Sequence, residues 1–144
     1  MNGFKDLIDH SAVSVIHPDL ASSGGILETK RIGDYAQERG IVMAMHMAGT
    51  PVAALASVHC AAATENFLVL ENHSVDIPRW NDLVEGLPKP LIRDGYIDVP
   101  ETPGLGFSDI CLEVFREFSD ANDPACFEPT NRWDNEKSHD QLWS

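Results

Sequence analysis

The chain has 144 residues, 43% of them hydrophobic and 23% charged, with a formal net charge of -13 and a pI near 4.6. This is enough for one ordinary domain with its own core. The acidic balance argues against a nucleic-acid phosphate or an anionic membrane as partner, because both call for a basic face; it suits a soluble cytoplasmic protein. Cys60, Cys111 and Cys126 are odd in number and widely spaced, with no CxxC pair. A disulfide framework or a zinc ribbon is therefore not expected. No stretch reaches the roughly 18 apolar residues of a membrane span, and Met1–Asp6 carries no apolar core of signal-peptide length.

Asn2–Asp9 opens as an amphipathic helix, with Phe4, Leu7 and Ile8 on one face. There is little room for it to begin before Phe4, so it reads as the tail of something longer. Ala12–Ile16 is short and β-branched, a strand stopped by His17-Pro18-Asp19. Ser22-Ser23-Gly24-Gly25 is a turn. A helix then carries Ile26, Ile32, Tyr35 and Ala36 as its apolar stripe and closes at Arg39-Gly40. Ile41–Met45 is an unbroken apolar run, which predicts a strand buried on both faces, with His46 at its tip. Thr50-Pro51 starts a helix that runs to Ala63 and is apolar nearly all round. Phe67–Leu70 is the third strand and ends in Glu71.

The repeating unit is strand, polar residue, loop, helix. Successive βα units make parallel strands, which put Asp19, His46 and Glu71 on one edge of one sheet. Three tip residues of these types are poorly explained as core packing and mark a candidate site. His17 is expected to face the opposite side and to be structural. Asn72, His73 and Trp80 lie just beyond the third strand, where side chains reach substrate. His59 and Cys60 are adjacent on a helix, so they point in different directions and do not make a metal site.

Beyond Glu71 the pattern changes. Asp76–Val84 reads as a loop leading into one helical turn. Pro90–Pro100 reads as a hairpin about Asp94-Gly95, a type I′ turn signal. Pro103–Phe107 is a rigid turn, and Asp109–Phe118 a helix with Ile110, Val114 and Phe118 on one face. From Ser119 the chain is a polar tail, loose or docked on a surface it does not itself provide.

Three features together resemble the barrel of the enolase superfamily, in its mandelate racemase and acid-sugar dehydratase branch. They are His17-Pro18-Asp19-Leu20-Ala21-Ser22-Ser23-Gly24-Gly25-Ile26 at the sixth barrel strand, Met45-His46-Met47 after the seventh, and Leu70-Glu71 at the eighth, followed by Pro103-Gly104-Leu105-Gly106. The resemblance implies an α/β fold: the C-terminal portion of a (β/α)8 TIM-type barrel, strands six to eight, with a closing segment. Residues 1–75 would run from the end of helix five through strand eight, 76–118 would close the barrel, and 119–144 would be the tail.

The resemblance also implies chemistry. Asp19 and His46 would form a hydrogen-bonded dyad that moves a proton at or beside the carbon α to a carboxylate. An imidazole exchanges protons well near neutral pH, and a carboxylate partner fixes its tautomer. Glu71 would hydrogen-bond the substrate carboxylate and help stabilise an enediolate, a role that calls for a carboxyl of raised pKa. The implied substrate is a polyhydroxy carboxylate and the implied cofactor Mg²⁺. Its family ligands sit on the third to fifth barrel strands, which are not in this chain, so no metal ligand is assigned here. A full-length protein would be expected to form a homo-oligomer.

An eight-stranded barrel takes about 250 residues. The chain thus reads as the C-terminal part of a larger protein, a truncated product or one piece of a split one. The expected function is that of a fragment of a Mg²⁺-dependent acid-sugar dehydratase, a lyase. The alternatives are a racemase or epimerase of the same superfamily, or an inert remnant or interaction piece lacking the metal site. With barrel partners missing from Val13, Val15, Val42, Phe67 and Val69, the isolated chain is expected to be marginal or to aggregate.

Overall fold

A computed structural model describes residues 1–118. The elements in order are α1 (Asn2–Asp9), β1 (Val15–Ile16), α2 (Gly25–Gln37), β2 (Val42–Met45), α3 (Pro51–Ala62), β3 (Phe67–Leu70), a 3₁₀ turn (Trp80–Leu83), β4 (Val84–Glu85), β5 (Asp109–Ile110) and α4 (Leu112–Glu117). The first three strands form one parallel sheet in the order β1-β2-β3. Val15 pairs with Val42, Ile16 with Met43, and Met45 with Leu70. Helices α2 and α3 are the crossovers that parallel strands require. This is the expected partial barrel. The expected tail, 119–144, lies outside the described residues. Among the described residues no helix is long and apolar enough to cross a membrane.

Turn chemistry sets the entry to α2. Gly24 and Gly25 have φ of 104° and 83°, a region that glycine enters without steric cost. Their N-terminal neighbours close the same turn, since the Gly25 amide donates to the Leu20 carbonyl at 3.0 Å. Helix α3 begins at Pro51, whose missing N–H costs nothing in a first turn.

The main core lies between the helices and one face of the sheet. Ile8, Ile16, Ile32, Ala36, Met43, Met45 and Cys60 are buried together there. Gly33 brings α2 close to β2: a Cβ at that position would lie 2.7 Å from Thr64 Cγ2 and 3.2 Å from Met43 Sδ. Asn66 bridges the same elements, its Nδ2 donating to the carbonyls of Gly33 and Ile41. A second cluster joins Met47, Trp80, Leu83, Val84, Leu91 and Val114 beneath the closing segment.

Three expectations change. First, β2 is covered on one face only. Met43, Met45 and Met47 are buried, whereas Val42, Ala44 and His46 are half-buried. The uncovered face would be the inside of a closed barrel, where opposing strands are needed. Second, the segment from Asp109 is not all helix. Asp109 and Ile110 pair antiparallel with Val84 and Glu85 before α4 begins. Third, the hairpin at Asp94-Gly95 has the positive φ values of a type I′ turn (51° and 84°). It closes only the Arg93–Tyr96 bridge. Prolines at 90 and 100, which lack the N–H of a ladder, flank that bridge.

Candidate active site

The parallel ladder continues past the strand ends and draws the tips together. Asp19 and His46 form a backbone bridge, with the His46 amide donating to the Pro18 carbonyl at 3.0 Å. The Glu71 amide donates to Met45 O at 2.9 Å, and the His73 amide to Met47 O at 3.2 Å. Asp19, His46 and Glu71 thus share one edge of the sheet. A cleft of about 450 Å³ opens beside them, bordered by Met1, Phe4, His17, Asp19, Ile32 and His46.

Glu71 is the hub. Its Oε1 lies 2.7 Å from His73 Nε2, and its Oε2 lies 3.1 Å from His17 Nε2 and 3.6 Å from His46 Nε2. The rings of His17 and His46 meet edge to face at 5.4 Å. Partial burial pushes the Glu71 carboxyl up. The hydrogen bond and charge of His73, the hydrogen bond of His17 and the charge of His46 outweigh that and hold it below its ordinary 4.5. The expectation of a raised Glu71 pKa is therefore corrected: positive neighbours favour the ionised form.

His17 is a second correction. Residues 17 and 19 are two apart on extended chain, so they share a side rather than oppose each other. His17 Nδ1 faces the Ala44 carbonyl at 2.9 Å while Nε2 faces Glu71. A neutral imidazole has a single N–H; the two contacts are complete only with one more proton, on the ring or on the carboxyl. Sequence reasoning missed this residue, although the same spacing that marks Asp19 contains the signal.

The expected Asp19–His46 hydrogen bond is not made. Asp19 Oδ1 accepts from the Ala21 amide at 3.1 Å and Oδ2 from Ser22 Oγ at 2.9 Å. His46 Nδ1 is buried without a partner. A short acidic side chain in a turn readily bonds to the backbone two residues on, and that local option is the one taken. Asn72 likewise folds back, its Oδ1 accepting from the Ser74 amide at 2.7 Å. Trp80 does not reach the cleft. It is 3% exposed, in the second core cluster, and its indole N–H donates to Gly49 O at 2.9 Å. His73 is exposed and stays at the site through Glu71. Cys60 packs in the main core, its thiol pushed up by burial.

The donor set can be set against Mg²⁺, which takes octahedral oxygen ligands. Glu71 and Asp19 are the carboxylates at this edge. The first is held by imidazoles and the second by its own turn. The residues present do not fit Mg²⁺.

Residues 1–108 match the model of the family described as enolase C-terminal domain-like. The chain is 42% identical over 106 residues to a D-xylonate dehydratase of Haloferax volcanii, covering 74% of this chain and 25% of that protein. It superposes with a TM-score of 0.77 and 39% identity on a mandelate racemase/muconate lactonizing enzyme-like protein of Rubrobacter xylanophilus, over 83% of this chain and 30% of that one. An enolase of Pantoea ananatis with bound D-gluconate and Mg matches with a TM-score of 0.70 and 28% identity, over 83% of this chain and 28% of that one. The chain spans about a quarter of the length of the curated relatives it matches. A parallel βα sheet whose polar tips gather at one edge, matched over most of its length by these relatives, makes this chain a member of the enolase superfamily that carries part of its C-terminal barrel.

Proposed function

We propose that the chain is the part of an acid-sugar dehydratase that supplies the proton-transfer edge of the barrel. The observation that carries this reading is His46. It is half-buried at a strand tip beside the cleft, adjacent to Asp19 across the backbone bridge and 3.6 Å from Glu71. The substrate class follows from the relatives, one a D-xylonate dehydratase and another a protein with bound D-gluconate.

In the proposed reaction a base takes the proton from the carbon α to the substrate carboxylate. The hydroxyl on the next carbon then leaves with a proton as water, and the resulting enol rearranges to a 2-keto-3-deoxy acid. His46 exchanges one of these protons, a task for which imidazole is suited near neutral pH. Asp19, rotated from Ser22, would give His46 Nδ1 the partner it lacks and fix its tautomer. Glu71 acts through the imidazoles it holds, keeping His17, His46 and His73 on one side of the site. Protonated, those rings would attract the substrate carboxylate and the charge of an enediolate.

The test uses the native protein captured with an antibody to the C-terminal tail and incubated with D-xylonate and D-gluconate. Formation of 2-keto-3-deoxy acid is expected, and His46→Asn should lower kcat by about 10²–10⁴-fold, the usual worth of a positioned acid or base. Solvent deuterium entering the α carbon without loss of water would replace this reading with racemisation. No exchange and no product would leave an inert or interaction piece.

A further inference from the structure

We propose that His46, Glu71 and His73 form a binding site for a divalent transition-metal ion of the Zn²⁺, Co²⁺ or Ni²⁺ class. One nitrogen from each histidine and one carboxylate oxygen lie within 4.8 Å of one another. His73 Nε2 is 2.7 Å from one Glu71 oxygen and His46 Nε2 is 3.6 Å from the other. On a tetrahedral ion with bonds of ~2.0–2.2 Å, ligand atoms sit ~3.3–3.6 Å apart. Small side-chain rotations reach that arrangement from these positions.

The backbone presets it. Glu71 and His73 are two residues apart on an extended segment, so both point to the same side. Their amides bond to Met45 and Met47 on the strand that carries His46. Two ligands therefore come from one segment and the third from its paired neighbour. His17 supplies support from outside the ligand set: Nε2 lies 3.1 Å from the Glu71 carboxylate, and Nδ1 is tied to the Ala44 carbonyl. Such outer contacts orient a metal-binding carboxylate. His73 is exposed, which leaves room for water or another small ligand on the ion, as in three-ligand open sites.

The choice of ion follows from the donors. Two imidazoles and one carboxylate suit Zn²⁺, Co²⁺ and Ni²⁺, whereas Mg²⁺ and Ca²⁺ take oxygen. A net charge of -13 also raises the local concentration of cations. The site goes beyond the dehydratase reading, shares His46 and Glu71 with it and competes with it, since an ion on His46 removes the group that would exchange protons.

The experiment is titration of the full chain with ZnCl₂ against a chromophoric chelator, with MgCl₂ as comparison. Saturable uptake of one Zn²⁺ per chain is expected, untouched by excess Mg²⁺. His73→Ala should weaken it by about tenfold or more, because a ligand is worth at least as much as an outer-shell partner; His10→Ala, away from the site, should not. Imidazole signals in nuclear magnetic resonance spectra of the unmutated chain give a reading that needs no variant: Zn²⁺ should shift His46 and His73 and leave His10 in place. Absence of saturable uptake, wild-type affinity in a folded His73→Ala, or shifts that spare His46 and His73 would overturn the proposal.

Discussion

A carboxylate shared among three imidazoles is an electrostatic device before it is a catalytic one. Glu71 titrates below its ordinary 4.5 because His73, His17 and His46 favour its charged form over the opposing effect of partial burial. A carboxyl whose folded pKa is depressed adds stability above its unfolded pKa, and that stability is lost as pH falls through the folded value. The expected outcome is that the melting temperature of the wild type exceeds that of Glu71→Gln at pH 6. The gap should close as the pH drops below 4.5, and thermal melts at stepped pH would measure it. The candidate tips Asp19, His46 and Glu71 were legible in the sequence because His46 and Glu71 each end an apolar run and Asp19 stands just past one. His17 was not, because Pro18 marks the end of the strand and so hides the two-residue repeat that continues through it. The charge state of Glu71 was not legible either, since two of its three imidazole neighbours, His17 and His46, arrive from other segments of the chain.

Helix α2 meets β2 at Gly33, and its distance from the sheet is set by a missing side chain. Gly33→Ala would place a methyl group 2.7 Å from the buried Thr64 and 3.2 Å from Met43. Thr64 is anchored by its hydroxyl bond to the Cys60 carbonyl at 2.7 Å. Helix propensity alone would favour alanine by up to ~1 kcal/mol, but overpacking of a tight core costs ~1–3 kcal/mol. Net destabilisation of about 1–2 kcal/mol is expected by urea denaturation, with the slope unchanged. The elements themselves were largely readable. β3 (Phe67–Leu70) falls on its predicted residues and α3 (Pro51–Ala62) within one. Strand β5 could not be read, because two residues carry no period. Their conformation comes from pairing with Val84 and Glu85, far back in the chain.

As a whole, the molecule shows more apolar surface at its sheet than a self-contained domain would. Phe67, Leu68 and Val69 are 36%, 58% and 51% exposed, and Val15 on the other outer strand is 44% exposed. An apolar outer strand with unpaired backbone groups invites pairing with another chain. Leu68→Lys with Val69→Lys should raise several-fold the concentration at which light scattering detects association. The parallel βα class was legible from the succession of units, whereas burial was not. A run such as Ile41–Met45 reads as doubly buried because a barrel would cover both its faces, and here one cover is missing. That one-sided burial has a chemical consequence. Met43, Met45 and Met47 all point to the covered face, at 0%, 0% and 2% exposure. Peroxide turns a thioether into a polar sulfoxide; it reaches the Met43 and Met45 sulfurs only while β2 is parted from its helices, whereas Met47 lies just past the strand under the closing segment. Sulfoxide accumulating at Met43 and Met45, relative to the half-buried Met1, is a running record of how often the central strand breathes.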